Sequence, residues 1–367
     1  MRQSLLEPRI IRMPEFAPGQ WLNVERPLTR EQLYGQVVLI DFWEYTCINC
    51  IRTLPYLRQW HKRYADKGLV IIGVHSPEFR FARFRMHIET AVADFQLPYP
   101  ILLDNDLANW ELYANKAWPT KYLIDSEGYI RYQCQGEGAY QQTERAIRQL
   151  LRQRDPSIIL PDKLVTPIRD EDQPGAACYR PTPELYAGYR GGGLFAGGLG
   201  NPEGYVPLSP VLYEWPDGIE REEGHFYVEG IWRAWPEAMS YAGKSGGRIV
   251  LPYRAVTVNA VLSPSPDPVE TVLDLRKPES EPVIEVKQDG RYLNPANAGR
   301  DITFRNGKSI VLVDRPRMYE LVNNSLYGKH ELSLTFHARG LAVYAFSFTT
   351  CADPTADLED PNVFQTK

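Results

Sequence analysis

The chain has 367 residues, with 41 Lys and Arg against 46 Asp and Glu, which gives a formal net charge of −5. That length exceeds a usual single domain, so we expect two domains. The weakly acidic balance disfavours nucleic-acid binding, and no run approaches the ~18 apolar residues of a membrane span. Because the first residues lack the apolar core and cleavage site of a signal peptide, the sequence predicts a cytoplasmic location.

The most informative motif begins with an apolar run from Val37 to Phe42, which contains one charge and is typical of a strand covered on both faces. Cys47 and Cys50 follow as Cys-x-x-Cys, and apolar residues then recur at helical spacing as far as Tyr64. This order places Cys47 at a helix N-terminus, where free backbone N–H groups and the helix dipole favour an anion. Since the thiolate is the form that attacks a disulfide, the motif predicts a lowered Cys47 pKa and thiol–disulfide exchange.

Strands and helices continue to alternate along the rest of the first half. Gly68 is predicted to end the helix in the left-handed conformation. The next predicted elements are a strand over 69–74, a helix over about 80–95, a strand over 99–103, a helix near 107–116, a hairpin over 121–132 and a helix over about 140–152. This alternation, closing on a hairpin, predicts an α/β layer with a mixed sheet over residues 1–155.

The second half has a different pattern. Residues 156–185 are rich in Pro and charge, which predicts a linker, either extended or docked. From His225 onward short β-rich runs recur, one of them from Glu270 to Leu275, and they predict an all-β sandwich over 186–352 followed by a tail over 353–367. Six aromatic residues form either a sugar-stacking platform or part of the core: Trp215, Trp232, Trp235, Tyr205, Tyr213 and Tyr227.

The first half resembles the thioredoxin superfamily at several separate positions. Asp41 lies six residues before Cys47, where thioredoxins carry a buried acid. Trp43 lies four before Cys47, in an aromatic position of that family, and Pro55 lies five after Cys50, at the position of its helix-kinking proline. The resemblance implies a thioredoxin-like fold and a structural role for Pro55.

Other stretches narrow this resemblance. Trp118 and Pro119 are similar to the cis-proline loop that faces the active-site disulfide in thioredoxins. The stretches Gly73–Phe79 and Leu103–Asp106 resemble the TlpA-like branch, and DipZ-type proteins more closely still. The second half resembles the carbohydrate-binding-like jelly roll of DipZ-type proteins. Those proteins usually carry a membrane electron-transfer domain as well, and no stretch of this sequence predicts one, so the resemblance does not name its electron donor.

The cysteine pair carries the predicted chemistry. Cys47 is the predicted nucleophile and Cys50 the resolving thiol, in a redox-active disulfide that needs no other cofactor. A static disulfide or half of a zinc site is the alternative, but zinc takes four ligands and the sequence has no second Cys-x-x-Cys or His pair, so we predict no metal. Cys134, Cys178 and Cys351 are predicted to be ordinary thiols, and a Cys178–Cys351 pair is left open.

Two carboxylates are candidates for proton transfer. Asp41, in an apolar strand, should have a raised pKa and is the predicted proton acceptor for Cys50, unless it only caps the strand. Glu78 matches, by resemblance, an acid near the cysteines of TlpA-like proteins, and an ordinary loop carboxylate is the equal alternative. The resemblance places Trp43, Trp118 and Pro119 near a substrate. It implies that the backbone of Trp118 pairs with an extended peptide, as in β-augmentation, while the Trp118 side chain either contacts the substrate or only packs.

The predicted function is disulfide exchange on a protein or peptide partner, with a glycan as a candidate ligand of the β-domain. One alternative is a peroxidase of the peroxiredoxin type, but its Pro-x-x-x-Thr/Ser-x-x-Cys motif is absent because Glu44 stands three residues before Cys47. A second alternative is a binding module in which the β-domain supplies the function and the thiols only sense redox state.

Overall fold

The computed structural model describes residues 5–164, 167–169, 172, 177–191, 197–215, 218, 220–244, 246–272, 281–352 and 363–364. The chain divides into two compact units, Met1–Ile168 and Arg169–Lys367.

The first unit contains six strands and five α-helices within its described residues. The strands are β1 (Gln20–Leu22), β2 (Val37–Trp43), β3 (Leu69–His75), β4 (Ile101–Leu103), β5 (Thr120–Ile124) and β6 (Ile130–Gln135). The helices are α1 (Arg30–Leu33), α2 (Ile48–Tyr64), α3 (Arg85–Asp94), α4 (Ala108–Leu112) and α5 (Tyr140–Arg154).

The sheet of this unit is mixed, with the strand order β1-β4-β3-β2-β5-β6. The central strand β2 runs parallel to β3 and antiparallel to β5, and all seven of its residues are buried. Its apolar side chains, with those of β3 and β5, form a core that includes Val38, Ile40, Phe42, Ile72 and Ile124. The predicted α/β layer with a mixed sheet is therefore confirmed.

Helix α2 begins where the sequence predicts, directly after the first cysteine. Cys47 is its N-cap residue, with extended backbone angles. One face of the helix is buried and includes Leu54, Leu57 and Trp60. A short 3-10 helix follows α2, and Gly68 ends it at φ 95°, in the left-handed conformation expected for glycine.

Two predicted helices are shorter in the structure. The helix expected over 80–95 is a 3-10 turn, Arg80–Arg83, followed by α3, because the backbone of Phe84 between them is extended. The helix expected near 107–116 is only α4, and Ala114 just beyond it has φ 47°. A residue in the left-handed conformation cannot continue a right-handed helix, so the helix ends before Ala114.

The second unit is rich in strands. Its strands are β7 (Ala177–Tyr179), β8 (Leu185–Tyr186), β9 (Gly198–Leu199), β10 (Pro210–Tyr213), β11 (His225–Ala234), β12 (Met239–Tyr241), β13 (Gly247–Ser263), β14 (Val283–Gln288), β15 (Arg291–Tyr292), β16 (Ile302–Arg305), β17 (Lys308–Leu312), β18 (Arg317–Phe336), β19 (Ala342–Thr349), β20 (Cys351–Ala352) and β21 (Val363–Phe364). One short helix, α6 (Pro268–Val272), is also described.

Twelve of these strands, β8 to β19, are joined in one hydrogen-bonded network. The long strands β13 and β18 pair along most of their length, with register shifts near Ala255 and Val258. Their inward-facing side chains belong to a large core that also contains Trp232 and Phe336. The predicted all-β character is confirmed, whereas the jelly-roll assignment remains a prediction.

The predicted strand from Glu270 to Leu275 is wrong in its described part. Residues 268–272 form α6 instead, with a proline at the first helical position, where its missing N–H has no helical role. Asp267 Oδ1 accepts the Val269 N–H at 2.9 Å and so caps the helix start. Residues 273–275 lie outside the described residues.

Part of the predicted linker, 156–185, packs on the first unit. The Leu164 N–H donates to the Glu144 carboxylate at 3.1 Å, and the Ile168 N–H donates to the Tyr56 hydroxyl at 3.0 Å. These residues are therefore docked, and the division between the units falls at Ile168 rather than at residue 155.

The ends of the second unit meet in a three-stranded sheet of the order β20-β7-β21. Its backbone register sets Cys351 opposite Cys178. The side chains of both cysteines lie outside the described residues, so the question of a Cys178–Cys351 disulfide stays open. Of the predicted tail, 353–367, only β21 is described.

Candidate active site

The cysteine pair lies at the start of α2. Cys50 donates its N–H to Cys47 Sγ at 3.2 Å, and the two sulfur atoms are 2.7 Å apart as free thiols. Cys47 is partly exposed, whereas Cys50 is 1% exposed and lies behind it. The prediction that Cys47 occupies the helix N-terminus is confirmed, and only this sulfur is open to a large substrate.

Burial controls the ionisation of both thiols. Desolvation raises the pKa of Cys47, and the hydrogen bonds from Cys50 lower it by less. The prediction of a lowered Cys47 pKa is therefore wrong for the dithiol form, because desolvation outweighs the donors at the helix start. The pKa of Cys50 is raised well above its ordinary value by burial, by the neighbouring Cys47 and by the charge of Asp41.

Asp41 lies on β2, where its charge acts on the Cys50 thiol. It is 1% exposed, and desolvation raises its pKa to about 7, against a smaller lowering by Lys121. Its Oδ1 atom has no hydrogen-bond partner. The predicted raised pKa is confirmed, so this carboxyl group can gain and lose a proton near neutral pH.

Lys121 is a site residue that the sequence analysis missed. It stands opposite Asp41 in the β2–β5 register and is fully buried. Its Nζ atom donates to the Gly136 carbonyl at 3.2 Å. Lysines are rarely fully buried unless they are paired. A lysine within the predicted strand after Pro119 was therefore the sequence signal for a buried charged partner.

Glu78 and Glu44 both act on Cys47. The negative charge of each raises the pKa of the Cys47 thiol, which places both within its electrostatic field. Glu78 is partly exposed, and Glu44 is fully buried. The predicted Glu78 is therefore close enough to act on Cys47. Glu44 is a second such glutamate, which the sequence analysis used only to exclude the peroxiredoxin motif.

The loop before β5 contains Trp118 and Pro119. The peptide bond between Trp118 and Pro119 is cis, as the resemblance implies. Trp118 is partly exposed and packs against Trp110, with ring centroids 4.4 Å apart, and Pro119 is buried. The Pro119 carbonyl accepts the Gly136 N–H at 2.7 Å. Contact of Trp118 and Pro119 with a substrate stays a prediction.

Trp43 does not lie on the surface. It is 1% exposed, at the end of β2, and its ring meets that of His75 edge-on at 5.2 Å. A side chain without exposed area cannot contact a protein substrate, so the assignment of Trp43 to substrate binding is corrected to core packing. Pro55 lies inside α2, as predicted.

Most of the proposed sugar platform is core. Trp232, Tyr213 and Tyr227 are buried, and Tyr205 packs against the same core. Trp232, Tyr213 and Tyr227 are therefore not available for stacking, and for these three the core alternative holds. Trp215 is partly exposed but lies against the guanidinium groups of two arginines, Arg221 and Arg248.

The described residues offer neither a metal site nor a membrane-spanning helix. Within the described ranges no group of three or more His, Cys, Asp or Glu side chains is placed to hold a metal ion. No helix in that part of the chain combines the length and the apolar character needed to cross a membrane.

The strand order of the first unit, with a Cys-x-x-Cys pair at the N-terminus of α2 and a cis proline before β5, defines a thioredoxin-like α/β fold. Residues 13–133 match the AhpC/TSA family. Residues 182–349 match the family described as thioredoxin like C-terminal domain.

Among curated proteins, the chain is similar to protein DipZ of Mycobacterium tuberculosis, with 36% identity over 254 residues, which are 66% of this chain and 33% of DipZ. The chain thus spans about a third of the length of these curated relatives. It is also similar to the thiol-disulfide oxidoreductase YkuV of Bacillus subtilis, with 29% identity over 39% of this chain and 96% of YkuV.

A solution structure of a thioredoxin-like protein in the oxidized form is among the similar solved structures. It is 30% identical, covers 39% of this chain and 95% of its own, and has a TM-score of 0.36.

Proposed function

We propose that this protein is a thiol–disulfide oxidoreductase that exchanges disulfides with protein or peptide partners. The observation that carries the proposal is the adjacency of two free thiols at the start of α2, one partly exposed and one buried behind it. The similarity to YkuV, which is named a thiol-disulfide oxidoreductase, supports the same activity. The redox-active Cys47–Cys50 disulfide needs no additional cofactor in this proposal.

The reaction takes two exchange steps in the reducing direction. Cys47, after losing its proton to solvent, attacks one sulfur of the substrate disulfide. A mixed disulfide to Cys47 forms, the substrate S–S bond breaks, and the released substrate thiolate takes up a proton. Cys50 then loses its proton and attacks Cys47 Sγ, so that the Cys47–Cys50 bond forms and the second substrate thiolate leaves and is protonated. Two electrons pass to the substrate, and a thiol donor restores the pair.

Asp41 is the proposed proton acceptor for Cys50. Its pKa of about 7 suits proton exchange near neutral pH, and its charge acts on the Cys50 thiol. Asp41→Asn should leave attack by Cys47 unchanged and slow resolution of the mixed disulfide by about 100-fold or more. Stopped-flow measurement of both steps checks this expectation, and an unchanged resolution rate would contradict it.

Trp118 is the residue that we propose to contact the partner. It is partly exposed, and the resemblance of its loop to the cis-proline loop of thioredoxins supports contact with an extended segment of the substrate. The electron donor, the cytoplasmic location and glycan binding by the second unit stay predictions. A glycan array probed with the full chain tests the last of these, and absence of retention would remove it.

Reduction of insulin disulfides by dithiothreitol is the direct test. Wild type should accelerate the reaction, and Cys47→Ser and Cys50→Ser should each abolish the acceleration. Cys134→Ser is the matched control, because Cys134 is a free, partly exposed thiol on β6. Equal activity of wild type and Cys47→Ser would overturn the proposal and favour a binding module with redox-sensing thiols.

A thiol peroxidase is the second candidate, because residues 13–133 match the AhpC/TSA family. Glu44 is three residues before Cys47, where the peroxiredoxin motif has Thr or Ser. We therefore expect peroxide consumption by wild type to stay at the uncatalysed rate in the same buffer. Peroxide turnover that depends on Cys47 would favour the peroxidase instead.

A further inference from the structure

Glu44 is a buried carboxylate fixed in the turn that carries the nucleophile. It is fully buried. Its Oε2 atom accepts the N–H of Thr46 at 2.6 Å and the Thr46 hydroxyl at 2.5 Å, and its backbone carbonyl accepts the Cys47 N–H at 3.3 Å. These three bonds hold the carboxylate and the first residue of the motif in one rigid turn.

The second carboxylate oxygen of Glu44 faces His75. Glu44 Oε1 lies 3.8 Å from His75 Nε2, and both side chains are fully buried. The imidazole ring is stacked on Tyr45 at 5.6 Å and meets Trp43 edge-on at 5.2 Å. Glu44 Oε1 and both ring nitrogens have no hydrogen-bond partner. A buried charge is costly unless it is paired, and the imidazole lies on the side of the carboxylate that the Thr46 donors do not reach.

Glu44 and Glu78 are carboxylates whose charges act on Cys47. Asp41, which lies opposite Lys121, acts on Cys50 instead. Negative charge beside a thiol disfavours its thiolate. The thiolate is the form that attacks a disulfide, so these charges lower the reactivity of Cys47 near neutral pH.

We propose that Glu44 and His75 form a positioning pair that sets the reactivity of Cys47. Glu44 disfavours formation of the Cys47 thiolate, while His75 limits this effect. The inference rests on the proposed thiol–disulfide activity and adds the residues that set the rate of its first step.

The test is a double-mutant cycle on the full chain. Glu44→Gln keeps the size of the side chain and an oxygen for the Thr46 bonds but removes the charge. We expect the pH profile of Cys47 alkylation to move about one pH unit lower, so that alkylation at pH 7 becomes about tenfold faster. His75→Gln should shift both readouts the opposite way, and should have little effect in the Glu44→Gln background.

The control is Glu144→Gln, which removes another buried glutamate of the same unit, bonded to the Tyr64 hydroxyl at 2.6 Å. It should leave the Cys47 profile unchanged. If wild type is active and the Glu44→Gln variant has the same Cys47 profile as wild type, the proposed pair is overturned. Independent effects of the two substitutions would overturn it as well. If Glu44→Gln does not fold, an unchanged Cys47 profile in His75→Gln would overturn the pair as well. Failure of wild type to reduce insulin would instead overturn the proposed function.

Discussion

Two buried aspartates of the first unit show how surroundings decide the state of a carboxyl group. Asp41 and Asp125 are both almost fully buried. Asp125 accepts backbone N–H groups and lies 3.0 Å from the guanidinium of Arg131, and these donors hold its pKa below the ordinary value despite desolvation. Asp41 has an oxygen without any donor, so that desolvation dominates and its pKa rises. Asp125 is therefore a structural group, whereas Asp41 can exchange protons.

The raised pKa of Asp41 makes stability depend on pH. Its pKa is about 7 in the folded chain against 3.8 as the ordinary value. The folded state therefore holds the proton more tightly, and ionisation destabilises it increasingly between pH 4 and pH 7. Relative to wild type, Asp41→Asn should gain about 4 kcal/mol of unfolding free energy between pH 4 and pH 8. Denaturant unfolding at several pH values measures this difference.

The control for that measurement is Asp66→Asn, since the side chain of Asp66 is 67% exposed. It should show a flat difference across the same pH range. A flat difference for Asp41→Asn as well would mean that this carboxyl group is not desolvated in the folded protein.

At the residue scale, the sequence predicted the groups that lie at fixed distances from the cysteines along the chain. Asp41 could be predicted in this way, because a strand followed directly by a helix fixes its distance from Cys50. The places of Lys121 and His75 could not, because both residues reach the site through strand pairing with β2 rather than through nearness in sequence. For Lys121 the sequence signalled only an unusual charge within a strand. Trp43 was misassigned because its place near a substrate rested on resemblance, whereas packing against His75 at the end of β2 buries it.

At the scale of elements, local signals predicted most strands and α2 well. They failed where a few residues decide between a helix and a turn, as at Phe84 and Ala114, because propensities there are weak and tertiary contacts override them. The strand expected from Glu270 is a helix for a similar reason: β-branched residues favoured a strand, and the proline and the Asp267 cap decided otherwise.

Close packing of backbone segments in the second unit gives a prediction at this scale. The Gly299 N–H donates to the Leu321 carbonyl at 3.0 Å. A Cβ at Gly299 would lie 2.2 Å from the backbone oxygen of Glu320, so β18 would have to move. Gly299→Ala should therefore lower the free energy of unfolding by about 2–3 kcal/mol in denaturant titrations.

The control for this steric effect is Gly307→Ala. Gly307 has φ +75° and open space around its Cα, so that alanine should cost only about 1 kcal/mol there, from the left-handed backbone. Equal losses for the two variants would show that Gly299 does not approach β18 as closely as described.

At the scale of the whole molecule, composition predicted two parts but not where they divide. The Pro-rich stretch reads as a linker, yet its first residues bond to side chains of α2 and α5, namely Tyr56 and Glu144. Such contacts join residues that are 20 and 112 positions apart in sequence, and a local composition signal carries no information about them.

Each unit has its own apolar core, one formed around β2 and β3 and the other around β13 and β18. The groups described above that act on the two sulfurs lie in the first unit. A chain of residues 1–168 should therefore fold alone and reduce insulin disulfides at a rate within about threefold of the full chain. Thermal unfolding followed by circular dichroism, together with the insulin assay, checks this, with truncation at residue 155 as the comparison.

The chain that ends at residue 155 loses the docked segment and its bonds to Glu144 and Tyr56, and it should melt at a lower temperature. Loss of activity in a folded 1–168 chain would mean that the second unit takes part in the reaction.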